Sequence, residues 1–342
     1  MKLRKFLAVL ALGALTVTGL TSCNRSGNAS GTKPLKVGAA VYGMRGEFMR
    51  VWAEWLQQHP AVKSGEVEIT VFDGRYDPNV QNDQFDTMIT QQYDAILFVP
   101  IDIEAGSLPV EKAIAAGIPV IGSNTRVSTD KLTAYVGNND VLAGEMQTQN
   151  VVDRLKGKGN LVVIEGPIGQ SAQIERRKGM ENVLKNYPEI KILDMKPGNW
   201  SRAEAMSLME NWLTAYPGQI NGVIGQNDDL GLGAIQAIKA AGLKVEDFAV
   251  SGVDGINDVF PAAKNGEIVS VLQDAKAQAQ GALDVALRTI KGESYEPQSE
   301  IWKFYGDKLP WNGGTSKRYD IPWTLITKDN ADAVREQVTI KK

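Results

Sequence analysis

Residues 95–124 read AILFVPIDIEAGSLPVEKAIAAGIPVIGSN. Ala95–Val99 is a short, wholly apolar run, and Ile118–Gly122 is nearly so. Between them lies a helical segment that includes Ala113–Ala116. A strand covered on both faces shows no polar alternation, so apolar runs separated by a helix read as neighbouring strands of a parallel sheet. The unit recurs outward. Leu35–Val41, Val67–Phe72 and Thr133–Gly137 complete a first series, with helical patterns at Phe48–Gln58 and Val80–Gln91. A second series runs through Asn160–Glu165, Ile190–Met195, Gly222–Gly225, Phe248–Gly252 and Ile268–Leu272. Its helical patterns are Leu142–Leu155, Glu175–Asn186, Arg202–Ala215 and Gly231–Ala241. The repetition predicts an α/β protein of two similar lobes, each a doubly wound parallel sheet.

The N-terminus indicates the compartment. Lys2, Arg4 and Lys5 precede the apolar run Phe6–Leu20, which is short and broken by Gly and Thr, as in the core of a signal peptide. Leu20-Thr21-Ser22-Cys23 resembles the bacterial lipobox, in which the Cys carries diacylglycerol and becomes the mature N-terminus. The alternative is an ordinary signal peptide with a chance cysteine. Cys23 is the single Cys of 342 residues, so no internal disulfide forms. Asn24–Lys33, polar and rich in Gly and Ser, reads as a flexible tether. The rest, roughly 310 residues, suits two cores rather than one. Net charge is −3 with both signs interspersed, which gives nucleic acid no basic stripe to bind.

In open parallel sheets ligands bind beyond the carboxyl ends of the strands. Those positions here hold Tyr42 to Phe48, Pro100 to Asp102, Ser123-Asn124, Gly166 to Gly169, Asn199-Trp200, Gln226 to Asp229, Asp254-Gly255 and Gln273-Asp274. Amides, carboxylates and aromatics collect there. The sole His, His59, falls at a helix end and reads as a C-terminal-turn residue. No GxSxG elbow, Cys/His pair, HExxH, CxxC, P-loop or complete GxGxxG occurs, and Gly231 and Gly233 read as close helix packing. Asp228, Asp229 and Asp254 could form an acid/base or Mg²⁺ site, or Asp228 could cap a helix. The inventory suits a neutral polyhydroxylated ligand. Its hydroxyls engage planar amides, carboxylates and guanidinium, and its C–H faces lie on aromatic rings. A buried Asp254 needs a partner, and Arg176 is the candidate.

Seven segments occur in order: Lys36–Phe48, Gln81–Gln84, Ala116–Ile121, Val136–Asp140, Glu165–Gly179, Gly225–Asp228 running into Gly231–Ile235, and Gly252–Gly255. Together they resemble periplasmic sugar-binding proteins of the ribose/galactose type, the substrate-binding lipoproteins of ABC transporters, with the type I fold. The resemblance implies a ligand site of Tyr42, Phe48, Asn124, Arg176, Trp200, Asn227, Asp254 and Gln273. Tyr42 could stand in or beside the pocket, and Trp200 could stack on ligand or only pack. Thr125 stands where ribose-type receptors have Arg, a departure that puts ribose itself in doubt. Arg45 and Glu47 have no counterparts and read as a solvated loop pair, with ligand contact as the alternative; Asp102 stays open in the same way. Residues about 296–322, with Trp302, Tyr305 and Trp311, exceed the family's usual ending.

The resemblance further implies three crossings between lobes, near Asn138–Asp140, Gln273–Asp274 and Pro322–Thr324. The first lobe would take residues 34–138 with 275–322, and the second 140–273 with 324–342. A sugar or polyol would bind in the interlobe cleft by hinge closure, and the membrane subunits of an ABC importer would receive it. The implied protein is a monomer, extracytoplasmic and lipid-anchored, without metal, cofactor or catalysis. A receptor feeding a chemoreceptor or sensor kinase, and a surface enzyme acting on a sugar, are the alternatives.

Overall fold

The computed structural model describes residues 33–340. Cys23, the signal segment and the tether up to residue 32 lie outside the described residues. The chain runs β1 (Leu35–Val41), α1 (Glu47–Gln57), α2 (Pro60–Lys63), β2 (Val67–Asp73), α3 (Pro78–Thr90), β3 (Ala95–Val99), α4 (Ser107–Ala115), β4 (Val120–Asn124) and β5 (Ala134–Gly137). It continues through α5 (Asp140–Arg154), β6 (Gly159–Glu165), α6 (Ser171–Leu184), β7 (Ile190–Pro197), α7 (Arg202–Ala215), β8 (Gly222–Gly225), α8 (Asp228–Ala240), β9 (Ala249–Asp254), α9 (Val259–Lys264) and β10 (Val269–Leu272). It ends with α10 (Ala275–Lys291), α11 (Ile301–Tyr305), β11 (Arg318–Asp320), β12 (Thr324–Ile326) and α12 (Ala331–Val338).

Among the described residues the strands form two six-stranded sheets, ordered β11-β5-β4-β3-β1-β2 and β12-β10-β9-β8-β6-β7. Every pairing is parallel except β12 on β10. Both faces of each sheet are covered. Val37, Ala39 and Val41 of β1 pack with Met49 and Trp52 of α1 and Leu283 of α10, while Ala40 faces Phe85 and Met88 of α3. In the second sheet Val162 and Ile164 pack towards α7 and α8, and Leu161 and Val163 towards α5 and α6. This two-sided burial is why the strands read as unbroken apolar runs. The sixth strands escaped the reading because each is a three-residue edge piece.

The chain passes between the sheets three times. β5 lies in the first, and α5 packs on β8, β9 and β10 of the second. α10, after β10, packs back on β3, β4 and β5. β11 extends the first sheet and β12 the second. No helix among the described residues is long and apolar enough to cross a membrane.

Element boundaries differ from the sequence expectation, early for helices and late for two strands. Three helices begin two to four residues early: α5 at Asp140, α6 at Ser171 and α8 at Asp228. Their first turns bury polar residues, which carry no apolar periodicity. β4 and β9 run on to Asn124 and Asp254, so these two end strands instead of following them. Close helix packing at Gly233 holds, since a Cβ there would overlap the Arg202 carbonyl of α7.

The long segment before β11 decorates the first lobe and is pinned by one buried carboxylate. Asp284 of α10 accepts from His59 Nε2 at 3.1 Å, Tyr295 Oη at 2.6 Å, Trp302 Nε1 at 2.8 Å and the Gln298 amide at 2.9 Å, with Ser299 as a further donor. His59 is therefore no C-terminal-turn residue: its Nδ1 accepts from Ala61 N and caps the start of α2. Trp302 also stacks edge-on against Trp311 and Tyr319. Burial alone would raise the Asp284 carboxyl, but His59, Ser299 and Tyr295 outweigh it and hold it below its ordinary value. A lowered carboxyl stabilises the fold above the unfolded value near 3.9, and that contribution fades as pH falls through the lower folded value. Asp284→Asn should therefore lower stability at neutral pH by about 2–4 kcal/mol, as hydrogen bonds to a charged group contribute about 1.5–3 kcal/mol each. It should also flatten the acid limb of a Tm-against-pH profile; an unchanged acid limb would place the acid sensitivity elsewhere.

Candidate functional site

Loops leaving β1, β3 and β4 touch loops leaving β6, β7 and β9, so the carboxyl ends of the two sheets meet. Ile103 N donates to Gly169 O at 3.0 Å and Gln170 Nε2 to Pro100 O at 3.3 Å. On the other side Arg45 Nη2 donates to Asn199 O at 2.7 Å. Glu47 Oε1 accepts from both the backbone N and Nδ2 of Asn257, at 2.9 Å each. Arg45 also lies over the Tyr76 ring, 4.4 Å from its centroid. Arg45 stays exposed and Glu47 half-buried, as solvated loop residues would be, but they do not pair with each other: each makes a contact across the cleft. Asp102 caps its own turn through Glu104 N and Ala105 N, and its other oxygen stands against Gly169 of the opposite lobe.

Arg176, in the second turn of α6 and 3% exposed, organises the interior. Its Nε donates to Asp140 Oδ1 at 2.8 Å, Nη1 to Gln226 O at 2.7 Å and Nη2 to Gln273 Oε1 at 3.3 Å. The expected pairing of Arg176 with Asp254 is corrected here: the ion pair is with Asp140, the first residue of α5. α5 and α6 approach closely because Gly144 has no Cβ to overlap the Arg176 carbonyl, and this brings Asp140 within reach. The indole of Trp200 lies beside the guanidinium, 5.7 Å from Cζ. Trp200 Nε1 donates to Gln170 Oε1 at 2.6 Å, and the ring rests against Gly166, where a Cβ would overlap it.

Asp254 ends β9 with φ 135° and is 5% exposed. Its side-chain partner is Asn227, whose Nδ2 donates at 3.3 Å. Burial pushes its carboxyl well up, and the positive field of Arg176 opposes this only in part. Asn227 is used twice, because its Oδ1 accepts from Leu230 N and caps α8. Asp228 is therefore not the cap. It lies one residue inside the helix, fully buried, and accepts from Gly255 N, Ile256 N and Ser270 Oγ. Asp229 pairs with Arg202, which also holds Asp258. Two of the three candidate acids, Asp228 and Asp229, are thus committed to structure, and no cluster of three or more His, Cys, Asp or Glu among the described residues is placed to hold a metal.

Gln273 gives its oxygen to Arg176, and its buried Nε2 has no partner among the described residues. Phe48 lines a cavity of about 290 Å³ together with Asp254, Gln273 and Leu272. Tyr42 is buried with its ring 5.5 Å from that of Tyr76; burial, then Tyr76 and Asp254, push its hydroxyl up. Asn124, at φ 58°, donates from Nδ2 to Gln278 Oε1 at 3.2 Å. Thr125 turns its hydroxyl onto Pro100 O at 2.7 Å. The structure thus gathers Tyr42, Phe48, Arg176, Trp200, Asn227, Asp254 and Gln273, with Asn124 tied in through the hinge amides. Sequence reasoning placed Gln226 at a strand end without giving it a role, and missed Asp140, Gln170 and Gln278 as site residues. Gln170 had a signal, its place in the loop after β6, and Asp140 another, its place at a crossing.

A family model described as a periplasmic binding protein domain matches residues 38–294. A xylitol-binding protein of Mycolicibacterium smegmatis is 35% identical, over 98% of this chain and 89% of its own length. A putative rhizopine-binding protein of Rhizobium meliloti is 32% identical, over 86% of this chain and 90% of its own. Among solved structures, an ABC transporter solute binding protein of Bacillus halodurans with bound myo-inositol superposes with a TM-score of 0.78. It is 27% identical, and the match covers 90% of this chain and 100% of that one. With its two parallel-sheet lobes and a polar interior where their strand ends meet, the chain belongs to the periplasmic binding protein family, with the type I fold.

Proposed function

We propose that this protein is the substrate-binding receptor of an ABC importer. It stands outside the cytoplasm as a monomer on a lipidated Cys23, and closes two lobes on one neutral sugar or polyol. The reading is carried by the buried polar cluster of Arg176, Asn227, Asp254 and Gln273 at the opposed strand ends, with Trp200 and Phe48 as apolar walls. The hinge consists of three crossings, near Asn138–Asp140, Gln273–Asp274 and Pro322–Thr324. Hydroxyl groups supply the donors that Asp254 lacks and the acceptors that Gln273 Nε2 and the remaining Arg176 N–H groups need. Arg176 is already neutralised by Asp140, so an anionic ligand would meet Asp254 with no free cation to hold it. The relative named for xylitol and the structure holding myo-inositol favour a polyol or monosaccharide. The role is binding and delivery without turnover, a reading supported by the relatives, which are named as binding proteins.

A thermal-shift panel should show stabilisation by xylitol, myo-inositol or a pentose or hexose, of about 2.7 kcal/mol at a hundredfold excess over Kd. The radius of gyration in solution scattering should shrink in step. Stabilisation by amino acids or sugar phosphates alone would overturn the ligand class, and binding without compaction would overturn closure.

Asp254 and Asp140 should separate by calorimetry. Asp254→Ala should weaken the ligand by about 1.5–3 kcal/mol while leaving Tm of the free protein nearly unchanged. Asp140→Ala leaves a buried guanidinium unpaired, so it should lower Tm as well as affinity, with a stability loss of about 3–5 kcal/mol. Equal behaviour of the two variants would contradict their assigned roles. Cys23→Ala should abolish incorporation of labelled palmitate and leave the precursor uncleaved at that site; several acyl chains on one Cys make the wild-type anchor stable. Wild-type protein free of label would remove the anchor from the proposal.

A further inference from the structure

We propose that Arg126 of the first lobe and Glu175 of the second form a charged clasp that sets ligand affinity through closure rather than through ligand contact. The inference rests on the receptor reading above.

Arg126 follows Asn124-Thr125 in the loop after β4, and Glu175 sits one residue before Arg176 in α6. Their side chains form an ion pair across the cleft. The backbone N of Arg126 also donates to Ser171 Oγ at 2.7 Å, which fixes the loop against the first turn of α6. Glu175 is 7% exposed, and its second oxygen has no partner among the described residues. When the lobes part, Glu175 loses its cation and Arg126 returns to solvent, so the pair stabilises the closed form alone. Its position next to Arg176 on one helix couples the clasp to the floor of the site. The opposite rim lacks an equivalent: there Glu47 accepts from the uncharged Asn257 and Arg45 donates to a carbonyl.

A group that stabilises only the bound, closed state acts on dissociation. With xylitol and myo-inositol as probes, Arg126→Gln and Glu175→Gln should each raise koff about tenfold and leave kon within about twofold. Both probes should weaken by the same factor, and Tm of the ligand-free full chain should not move. The charge-swapped double variant, Arg126→Glu with Glu175→Arg, should recover most of the loss. Affinity for these uncharged probes should also fall between about 50 mM and about 1 M NaCl in the wild type and lose that dependence in Arg126→Gln. Unchanged koff, unequal weakening of the two probes, or a lowered ligand-free Tm would each overturn the clasp. A second readout needs no ligand: Arg126→Cys with Glu175→Cys should be joined by a short bis-maleimide, and the bridged peptide found by mass spectrometry. Absence of that bridge, with and without probe, would also overturn it. Failure of the receptor reading has a different signature, namely no stabilisation by any sugar or polyol while the bridge still forms.

Discussion

The buried guanidinium of Arg176 is the interaction on which the site depends. A charge taken out of water must be paired and hydrogen-bonded on every side. Arg176 meets most of that demand by drawing on three separate parts of the chain: Asp140 at the start of α5, the Gln226 carbonyl at the end of β8, and Gln273 after β10. Asp140 and Gln273 lie at two of the three passages between the sheets. The side chain that organises the floor of the cleft therefore also fixes two of the three places where the lobes join. On the proposed function, closing the cleft and shaping the site become one event, because the same residues serve both.

The third passage is tied in by amides. Asn124 Nδ2 donates to Gln278, Gln278 Nε2 donates to Asn138 Oδ1 at 2.7 Å, and Asn138 Nδ2 donates to Ile321 O at 2.7 Å. Ile321 N returns to Gly137 O, and Trp323 Nε1 to Asn139 O. A chain of neutral amides suits a hinge, because each group is satisfied without a charge that movement would expose. Tyr305, from the extension before β11, adds a bond to Asp274 at 2.7 Å and braces the middle passage from the first lobe. The extension thus supports the hinge instead of lining the cleft.

Most of the architecture was legible in the sequence. Two-sided burial of parallel strands leaves unbroken apolar runs, and these located β1, β3 and β8 residue for residue. What escaped lies where local pattern and tertiary demand diverge. α5, α6 and α8 each open on a buried polar residue, Asp140, Ser171 and Asp228, so apolar periodicity began too late there. Asn227 and Asp228 both suit a cap; the choice between them depends on Ser270 and Gly255, which bond Asp228 from distant strands. Ion-pair partners carry no sequence signature at all. Arg176 could be placed in the site, but that Asp140 rather than Asp254 neutralises it follows only from the close approach of α5 and α6 at Gly144.

That reassignment changes the physics of closure. Had Arg176 paired with Asp254, the interior would be electrostatically satisfied when empty, and the lobes could close without a ligand. With Arg176 spoken for by Asp140, the closed form buries Asp254 against a single amide donor, and burial drives its carboxyl upward. Gln273 Nε2 is left without an acceptor in the same space. Each is a penalty on empty closure that water relieves when the lobes part. A hydroxylated ligand relieves both at once by donating to the one and accepting from the other. Ligand shifts a conformational equilibrium only by its differential interaction with the two states, and here that difference is built from unsatisfied protein groups. On the proposed function, selectivity and gating then have one origin: a molecule without correctly placed hydroxyls leaves the penalty standing, and the cleft stays open.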